Sequence, residues 1–429
     1  MESDSNQPVN NSHLGEDKHY DIVIVGGGMV GISLALLLSQ RHHWRILLVE
    51  SKAVDVLSSS TGSPSFDERS TALSWTSRLI YQSIGLWPAI ASHAVAIENI
   101  HVSEQGHLGL TRMSAAESGV EALGYVVENQ RLGAVLLQHL ANEAVDIADG
   151  SQVNSVTAVS NGMQLELTSP LTKPALEMPK VSTDLLVVAD GADSKTAGML
   201  GIHSHQSLYG QRAIITNVQL TEKHRGVAYE RFTDQGPMAL LPLSDFEGQA
   251  RSALVWVQPD AEAEKLMRLS ERQFLQALQQ RFGYRLGRFS QAGERLSYPL
   301  ALTVAAEQVR RNLVLVGNAA HSLHPVAGQG FNLSLRDVAA LANDLNAGRL
   351  DGYAMGSLAV LEKFYQRQYQ DQRNTLLFSD NLIKFFGTSS AATALVRNGG
   401  LLMLDLVSPL RQGFARFGMG MDRGVTSHG

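Results

Sequence analysis

The apolar positions of this chain follow two periods. Short continuous apolar runs, at Ile22 to Val25, Ile46 to Val49, Leu185 to Val188 and Leu313 to Val316, read as parallel strands covered on both faces. Alternating runs read as antiparallel strands: IENIHVSE and LGYVVEN between Ile97 and Val127, then QRAIITNVQL, GVAYERFT, GPMALLPLS and RSALVWVQP between Arg212 and Val257. Helical spacing follows Gly28, resumes near Ser70, at RLGAVLLQHLANEA, near Ser194, from Glu271 to Phe282 and after Gly330, and dominates from Gly352 onward. Strand pairs are expected from Val153 to Leu167, and SYPLALTVAAEQ is expected to return the chain to the parallel layer.

These periods divide the chain. A polar tail, expected to be disordered, covers 1–19. A discontinuous nucleotide-binding domain takes 20–96, 129–205 and 298–350, a β-sheet substrate domain takes 97–128 and 206–297, and a helical region takes 351–429.

The first strand, turn and helix carry the strongest chemical signal. Gly26, Gly28 and Gly31 stand at GxGxxG spacing. The first permits the tight turn, the second lets backbone approach a pyrophosphate, and the third allows helix to pack closely on strand. Glu50 ends the second strand near the ~20-residue offset of an acid that binds ribose hydroxyls. A glycine-rich turn in an ordinary α/β sheet would account for the glycines but not for Glu50.

Other candidates lie at strand ends. Arg69 sits at a loop-to-helix junction, where it could reach a cofactor or pyridine nucleotide, or pair with Asp67 or Glu68 at the surface. Asn129, Gln130 and Arg131 open a helix, either to contact a long cofactor or as cap and first-turn side chains. Asp190 and Gly191 follow the third buried strand, and Asp190 and Asp193 would also serve as caps. Gly317 and Asn318 follow the fourth, before an irregular loop with His321, His324 and Pro325 and a helix after Gly330. Two histidines three apart without a nearby acid do not make a metal site.

Composition narrows the class. The chain has 429 residues, a net charge of −6 and no cysteine. Disulfides, thiolate catalysis and Cys-ligated metals are excluded, and scattered Lys and Arg argue against nucleic acid. No secretory signal or run of ~20 apolar residues is evident, so the expected location is cytoplasmic. Phe378, Leu382, Phe385 and Phe386 beside Lys384, and Leu401 to Leu406 before Arg411 and Arg416, suit either core packing or a membrane surface.

Taken together, the three turns (Gly26 to Gly31 with Glu50, Asp190 to Ser194, and Gly317 to His321) resemble the class A flavoprotein aromatic hydroxylases typified by para-hydroxybenzoate hydroxylase. FDERSTAL at Phe66 to Leu73 and GNAAHSLHPVAGQGFNLSLRDV at Gly317 to Val338 are similar to the ubiquinone-biosynthesis hydroxylases, above all those acting on 2-polyprenyl-6-methoxyphenol. The resemblance covers Tyr20 to about Arg373. The fold it implies is an α/β, Rossmann-type FAD-binding domain with an inserted antiparallel substrate sheet and C-terminal helices. Most of the wider group carries Asp where Asn318 stands. An amide oxygen still accepts a hydrogen bond from the ribityl chain, but the charge is lost.

The resemblance further implies that FAD is the cofactor. Gly26, Gly28 and Gly31 would cradle its pyrophosphate, Glu50 its ribose, Asn129 and Arg131 its middle, and Gly317 and Asn318 its ribityl chain. Asp190 would serve both FAD and the nicotinamide reductant, and Gly328, Gly330, Phe331 and Asn332 the flavin's pyrimidine edge. NAD(P)H would act as transient reductant and O2 as co-substrate, adding at the flavin's C4a before one oxygen passes to a polyprenylated phenol and the other leaves as water. Pro325 and Gly236 to Leu243 would wall the chamber, with His324 a candidate base or a loop-packing residue. The implied partners are the polyprenyl phenol, a ubiquinone-biosynthesis assembly and the inner face of the cytoplasmic membrane, with homo-oligomers left open. A flavoprotein reductase or oxidase, and a catalytically silent flavin-binding partner, are the competing readings.

Overall fold

The computed structural model describes residues 18–53, 69–105, 110–168, 180–323 and 328–386, together with 413, 415, 416 and 418–421 near the C-terminus. His324 and Pro325, Asp67 and Glu68, the N-terminal tail to residue 17 and most of the segment beyond Phe386 lie outside the described residues, as do the side chains of 382–386.

The chain opens with β1 (Lys18–Val25), α1 (Met29–Ser39) and β2 (Ile46–Val49). Gly31 to Leu38 are all buried, so this helix is covered on every side. Next come β3 (Ser70–Ser74), α2 (Trp75–Ser83), α3 (Trp87–Ala91), β4 (Ala94–Ile97), β5 (Asn99–Glu104), β6 (Leu110–Ser114), β7 (Gly124–Glu128) and α4 (Asn129–Leu140). The helix expected near Ser70 starts only at Trp75, because Ser70–Ser74 pairs antiparallel with β7 and the Ser74 side chain accepts the Ser77 N–H as N-cap. β8 (Val145–Ala148), β9 (Val153–Val159), β10 (Gly162–Leu167), β11 (Lys180–Val188) and α5 (Lys195–Met199) complete the first half.

The second half runs through β12 (Ser204–Leu220), β13 (Val227–Thr233), β14 (Gly236–Phe246), β15 (Gln249–Pro259), α6 (Asp260–Arg268), α7 (Glu271–Phe282), β16 (Phe289–Ala292) and β17 (Leu296–Ala305). It ends with β18 (Val309–Arg310), β19 (Leu313–Leu315), a 3-10 turn at Gly317–Ala319, β20 (His321–Ser322), α8 (Gln329–Leu350) and α9 (Leu358–Phe386).

Two large sheets organise these elements. In the first, β19, β11, β1, β2 and β8 lie side by side and parallel, with α1, α4 and α8 packed on one face. The second is a nine-stranded, mostly antiparallel sheet in the order β20-β17-β12-β15-β14-β13-β5-β6, with β16 beside β12 and α7 covering its outer face. β17 belongs to this second sheet, pairing with both β12 and β20. The chain therefore re-enters the first sheet after Ala305 rather than at SYPLALTVAAEQ, because the backbone of that segment finds its hydrogen-bonding partners in β12 and β20. β3, β7 and β4 form a small third sheet.

Contacts between the halves fix their relative placement. Arg251 of β15 reaches Glu128 at the end of β7 with N–O distances of 3.2 and 3.4 Å. Arg69, ahead of β3, holds its guanidinium 4.9 Å from the ring centre of Tyr298 on β17. Among the described residues, no helix is long and apolar enough to cross a membrane.

Candidate cofactor and substrate site

Three turns of the first sheet and one face of the second enclose a cavity of about 1030 Å³. The turn after β1 is a backbone problem that only glycine solves. Gly26 has a φ of +115°, and a Cβ at Gly31 would overlap the Gly26 carbonyl oxygen. Gly31 lies behind the turn, while Gly26 and Gly28 face the cavity.

Gly28 caps α1 without any side-chain hydrogen bond, and the first turn holds no acid. The N-terminus of α8 matches it: Gly328, at φ +60°, is a bare cap, followed by a first turn without acids. Both helix ends thus present unpaired N–H groups and positive dipole ends to one cavity. An anion or an electron-rich ring edge suits both.

Glu50 also faces the cavity, fixed from behind. Its Oε2 accepts the Gly27 N–H at 2.7 Å and its Oε1 the Lys52 N–H at 2.9 Å. Asp190 sits across the turn at the end of β11, where its Oδ2 accepts the Thr196 N–H at 3.2 Å. Its Oδ1 is buried and has no hydrogen-bond partner among the described residues. Asn129 is buried at the start of α4 with its Oδ1 accepting the Thr71 hydroxyl at 2.6 Å, and no acceptor among the described residues takes its Nδ2. Asn318 extends its side chain into the open cavity, and Gly317 packs on Val30 with a φ of +63°.

Not every predicted residue meets the others. Arg131 is exposed on the outer side of α4 and does not line the cavity, because the helix turns it away two residues after Asn129. Asn332 lines the cavity, yet its side chain is engaged within the protein. Its Oδ1 accepts the Ser74 N–H and the Ser77 hydroxyl, and its Nδ2 donates to the carbonyls of Ala72 and Gly328. It sets the backbone of the α8 N-terminus rather than offering a donor of its own. Gly330 and Phe331 line the same end, and Arg69 lines it with Tyr298.

Apart from His321, sequence reasoning did not single out the residues that hold this end together. Thr71, Ser74 and Ser77 look like ordinary small polar residues until β3 pairs with β7. His321 is buried, with Nε2 2.7 Å from Oδ2 of Asp337, which also accepts from Gln372 Nε2 at 3.0 Å. This network anchors β20, whose next residues Ser322 and Leu323 line the cavity. Among the described residues, no group of three or more His, Asp or Glu is placed to hold a metal.

The opposite wall is the face of the nine-stranded sheet. One row of the register runs Glu230, Ala239, Val255 and Ile215, all lining the cavity. In the next row, Ala228 pairs with Ile100 and Ile100 with Met113, while Leu241 pairs with Ala253. Small residues at Ala228, Ala239 and Ala253 leave room for a flat ring above an apolar floor. Glu230 is the exception on it. The strand GVAYERFT carried a signal, an acid between Ala228 and Phe232 at alternate positions, on the face that alternation places inward.

The donor set fits an extended dinucleotide with a flavin: two bare helix ends, an orphaned Asp190 oxygen, a placed Glu50 and a side chain at Asn318 reaching into the space between them. Comparison with known proteins agrees. The model of a family described as an FAD binding domain matches residues 19–362. The chain is 32% identical over 405 residues to "Ubiquinone hydroxylase UbiL" of Rhodospirillum rubrum, covering 94% of this chain and 90% of that protein. It is 30% identical to the "3-demethoxyubiquinol 3-hydroxylase" of Escherichia coli, over 94% of this chain and 98% of that one. In fold it is similar to the p-nitrophenol 4-monooxygenase PnpA of Pseudomonas putida, with a TM-score of 0.75 at 19% identity, covering 96% of this chain and all of that one.

Proposed function

Because this chain belongs to the FAD-binding-domain family, among the flavin-dependent aromatic hydroxylases, we propose that it hydroxylates a polyprenylated phenol in ubiquinone biosynthesis. FAD is its cofactor and O2 its co-substrate, with NAD(P)H as the reductant usual for such enzymes. The substrate that this reading favours is 2-polyprenyl-6-methoxyphenol, converted to the 1,4-benzoquinol. One observation carries it: the three turns suited to a flavin dinucleotide and an apolar floor suited to a ring share a single cavity.

The bound flavin supplies the activation of O2. The chain's own part is binding, orientation and dryness. Gly26 and Gly28 with the α1 N-terminus hold the pyrophosphate, Glu50 the ribose, Asn318 the ribityl chain, and Gly328 and Gly330 the pyrimidine edge. Asp190, with one oxygen unpaired, serves the cofactor where the first two turns meet. The floor strands exclude water from the reacting ring. A prenyl tail needs an apolar exit, and Phe378 and, in the C-terminal segment, Met419 line the cavity. Flotation with anionic liposomes, for the full chain and for one ending before Gly399, tests whether that segment also meets a membrane.

The Escherichia coli relative, named a 3-demethoxyubiquinol 3-hydroxylase, favours a second ring position, the 3-position of a demethoxyubiquinol. Disrupting the gene in its host and identifying the quinone precursor that builds up decides between them. Build-up of 2-polyprenyl-6-methoxyphenol supports the first reading and build-up of 3-demethoxyubiquinol the second. Lack of ¹⁸O transfer from labelled O2 to either, with NAD(P)H still consumed, would leave a reductase or oxidase.

A further inference from the structure

The floor of the chamber carries one acid, and nothing in the fold requires it. Glu230 lies on β13 with Ala228 two residues before it and Ala239 beside it in the register, all facing the cavity. It is half-buried, with its open side towards the cavity. Among the described residues its carboxyl group has no hydrogen-bond or ion-pair partner. Arg231, next along the strand, falls on the opposite face with Tyr229. An acid so placed loses its hydration and gains no protein partner in return, and burial accordingly raises its pKa above the ordinary carboxylate range. A leucine would suit this floor better. A cost without structural return, inside a ligand cavity, marks a group kept for a ligand.

We propose that Glu230 receives the ring hydroxyl of the phenol, so that it both orients the ring on the floor and takes up its proton. This deepens the reading above and rests on the substrate being a phenol. As the new C–O bond forms at a ring carbon ortho or para to the hydroxyl, the phenolic O–H bond breaks and its proton passes to a Glu230 oxygen, leaving a dienone. The C–H proton at the new C–O carbon then leaves to water, and Glu230 returns its proton to the ring oxygen, restoring the aromatic diol. The oxidant is O2 and the reductant NAD(P)H, both part of the function proposed above: the O–O bond breaks as the C–O bond forms, one oxygen becoming the new hydroxyl and the other leaving as water. A carboxyl weakened as an acid by burial is nearer in proton affinity to a phenolate than an exposed one, so the transfer is less uphill.

The test uses FAD-loaded enzyme with two probes, 2-methoxy-6-methylphenol and its O-methyl ether, which differ only in the hydroxyl proton and one methyl group. Binding is read by calorimetry and by perturbation of flavin absorbance, for wild type, Glu230→Gln and Glu230→Leu. Wild type is expected to prefer the phenol by about tenfold or more, the advantage of one hydrogen bond to a charged group. Glu230→Gln should narrow that preference and Glu230→Leu abolish it, with affinity for the ether kept or improved and the melting temperature of the Leu variant at or above wild type. If both variants keep the wild-type preference, Glu230 does not receive the hydroxyl. ¹⁸O incorporation separates this failure from the wider one. Labelled product from wild type with unchanged preference in the variants sinks only the role of Glu230, whereas a wild type that labels no phenol sinks the function and the proposal together. Should the Leu variant not fold, the near-isosteric Gln variant carries the decision.

Discussion

The side-chain oxygen of Asn332, in the first turn of α8, accepts the backbone N–H of Ser74, the last residue of β3, at 2.8 Å. The same amide bonds Ser77 Oγ, Ala72 O and Gly328 O, so one side chain closes four hydrogen bonds, three of them between segments more than 250 residues apart and the fourth within the start of α8. The bare N-terminus of α8 is therefore held in place by a residue that does not itself point a donor at the ligand.

Replacing Asn332 with Ala should leave a buried N–H and two carbonyls unmatched, at a cost of about 2–4 kcal/mol. Asn332→Asp should do no better, since a carboxylate would face the carbonyls of Ala72 and Gly328. Thermal melting and the FAD retained after desalting check this. Both should fall together, and a variant that melts like wild type with full flavin would refute the clamp.

Glu50 offers a cleaner separation of affinity from stability. Its carboxylate already receives two backbone N–H groups at 2.7 and 2.9 Å, which preset its direction towards the cavity. Glu50→Gln keeps one acceptor oxygen but loses the charge that strengthens bonds to ribose hydroxyls. FAD affinity, measured by fluorescence titration of stripped protein, should weaken by roughly ten- to a hundredfold, while the melting temperature of the stripped protein moves little.

The parallel half of the fold was legible in the sequence because its signals are local. Ile22 to Val25, the glycine turn and Glu50 lie within thirty residues, and each buried strand is a continuous apolar run. What sequence missed depends on distant pairing. Ser70–Ser74 carries no strand pattern and becomes β3 only because Gly124–Glu128 lies alongside. β17 looks like a return to the first sheet until its partners β12 and β20 are known. Asn332 reads equally well as a flavin ligand or a clamp, since both roles need a polar residue at a helix start. Glu230 was not singled out, since nothing local says that the face it shares with Ala228 looks onto a cavity.

The buried pair of His321 and Asp337 makes a stability prediction independent of the cofactor. Asp337 is fully buried and accepts from His321 at 2.7 Å and Gln372 at 3.0 Å. Asp337→Ala strands two buried donors and should destabilise by about 3–5 kcal/mol. Asp337→Asn keeps an oxygen for at least one of them and should cost no more than about half as much. Urea denaturation of the three proteins, read by tryptophan fluorescence, gives the ordering; equal losses for Ala and Asn would mean that the hydrogen bonds contribute little beyond packing.

The outer face of the substrate sheet holds a group whose charge state should govern acid stability. His101 on β5 is buried against Tyr229, with Nε2 2.8 Å from Nη1 of Arg285. Burial, and then the positive charges of Arg285, Arg112 and Arg231, lower its pKa to about 4 from the ordinary 6.5, against a smaller opposing backbone hydrogen bond. The sign follows from proton counting. Between about pH 6.5 and 4 the unfolded chain takes up a proton on this ring and the folded chain does not, so the contribution of His101 to stability is whole above pH 6.5 and is lost as pH falls towards 4. Solvent screening at this partly open site limits the loss to about 1–2 kcal/mol. His101→Gln removes the titration while keeping a polar side chain in the cluster. Its stability relative to wild type, from melting curves at several values between pH 7.5 and 4, should therefore rise as pH drops, because background carboxylate titrations are common to both proteins and cancel. A difference that stays flat across that range would show that His101 is protonated in the folded state as readily as in the unfolded one.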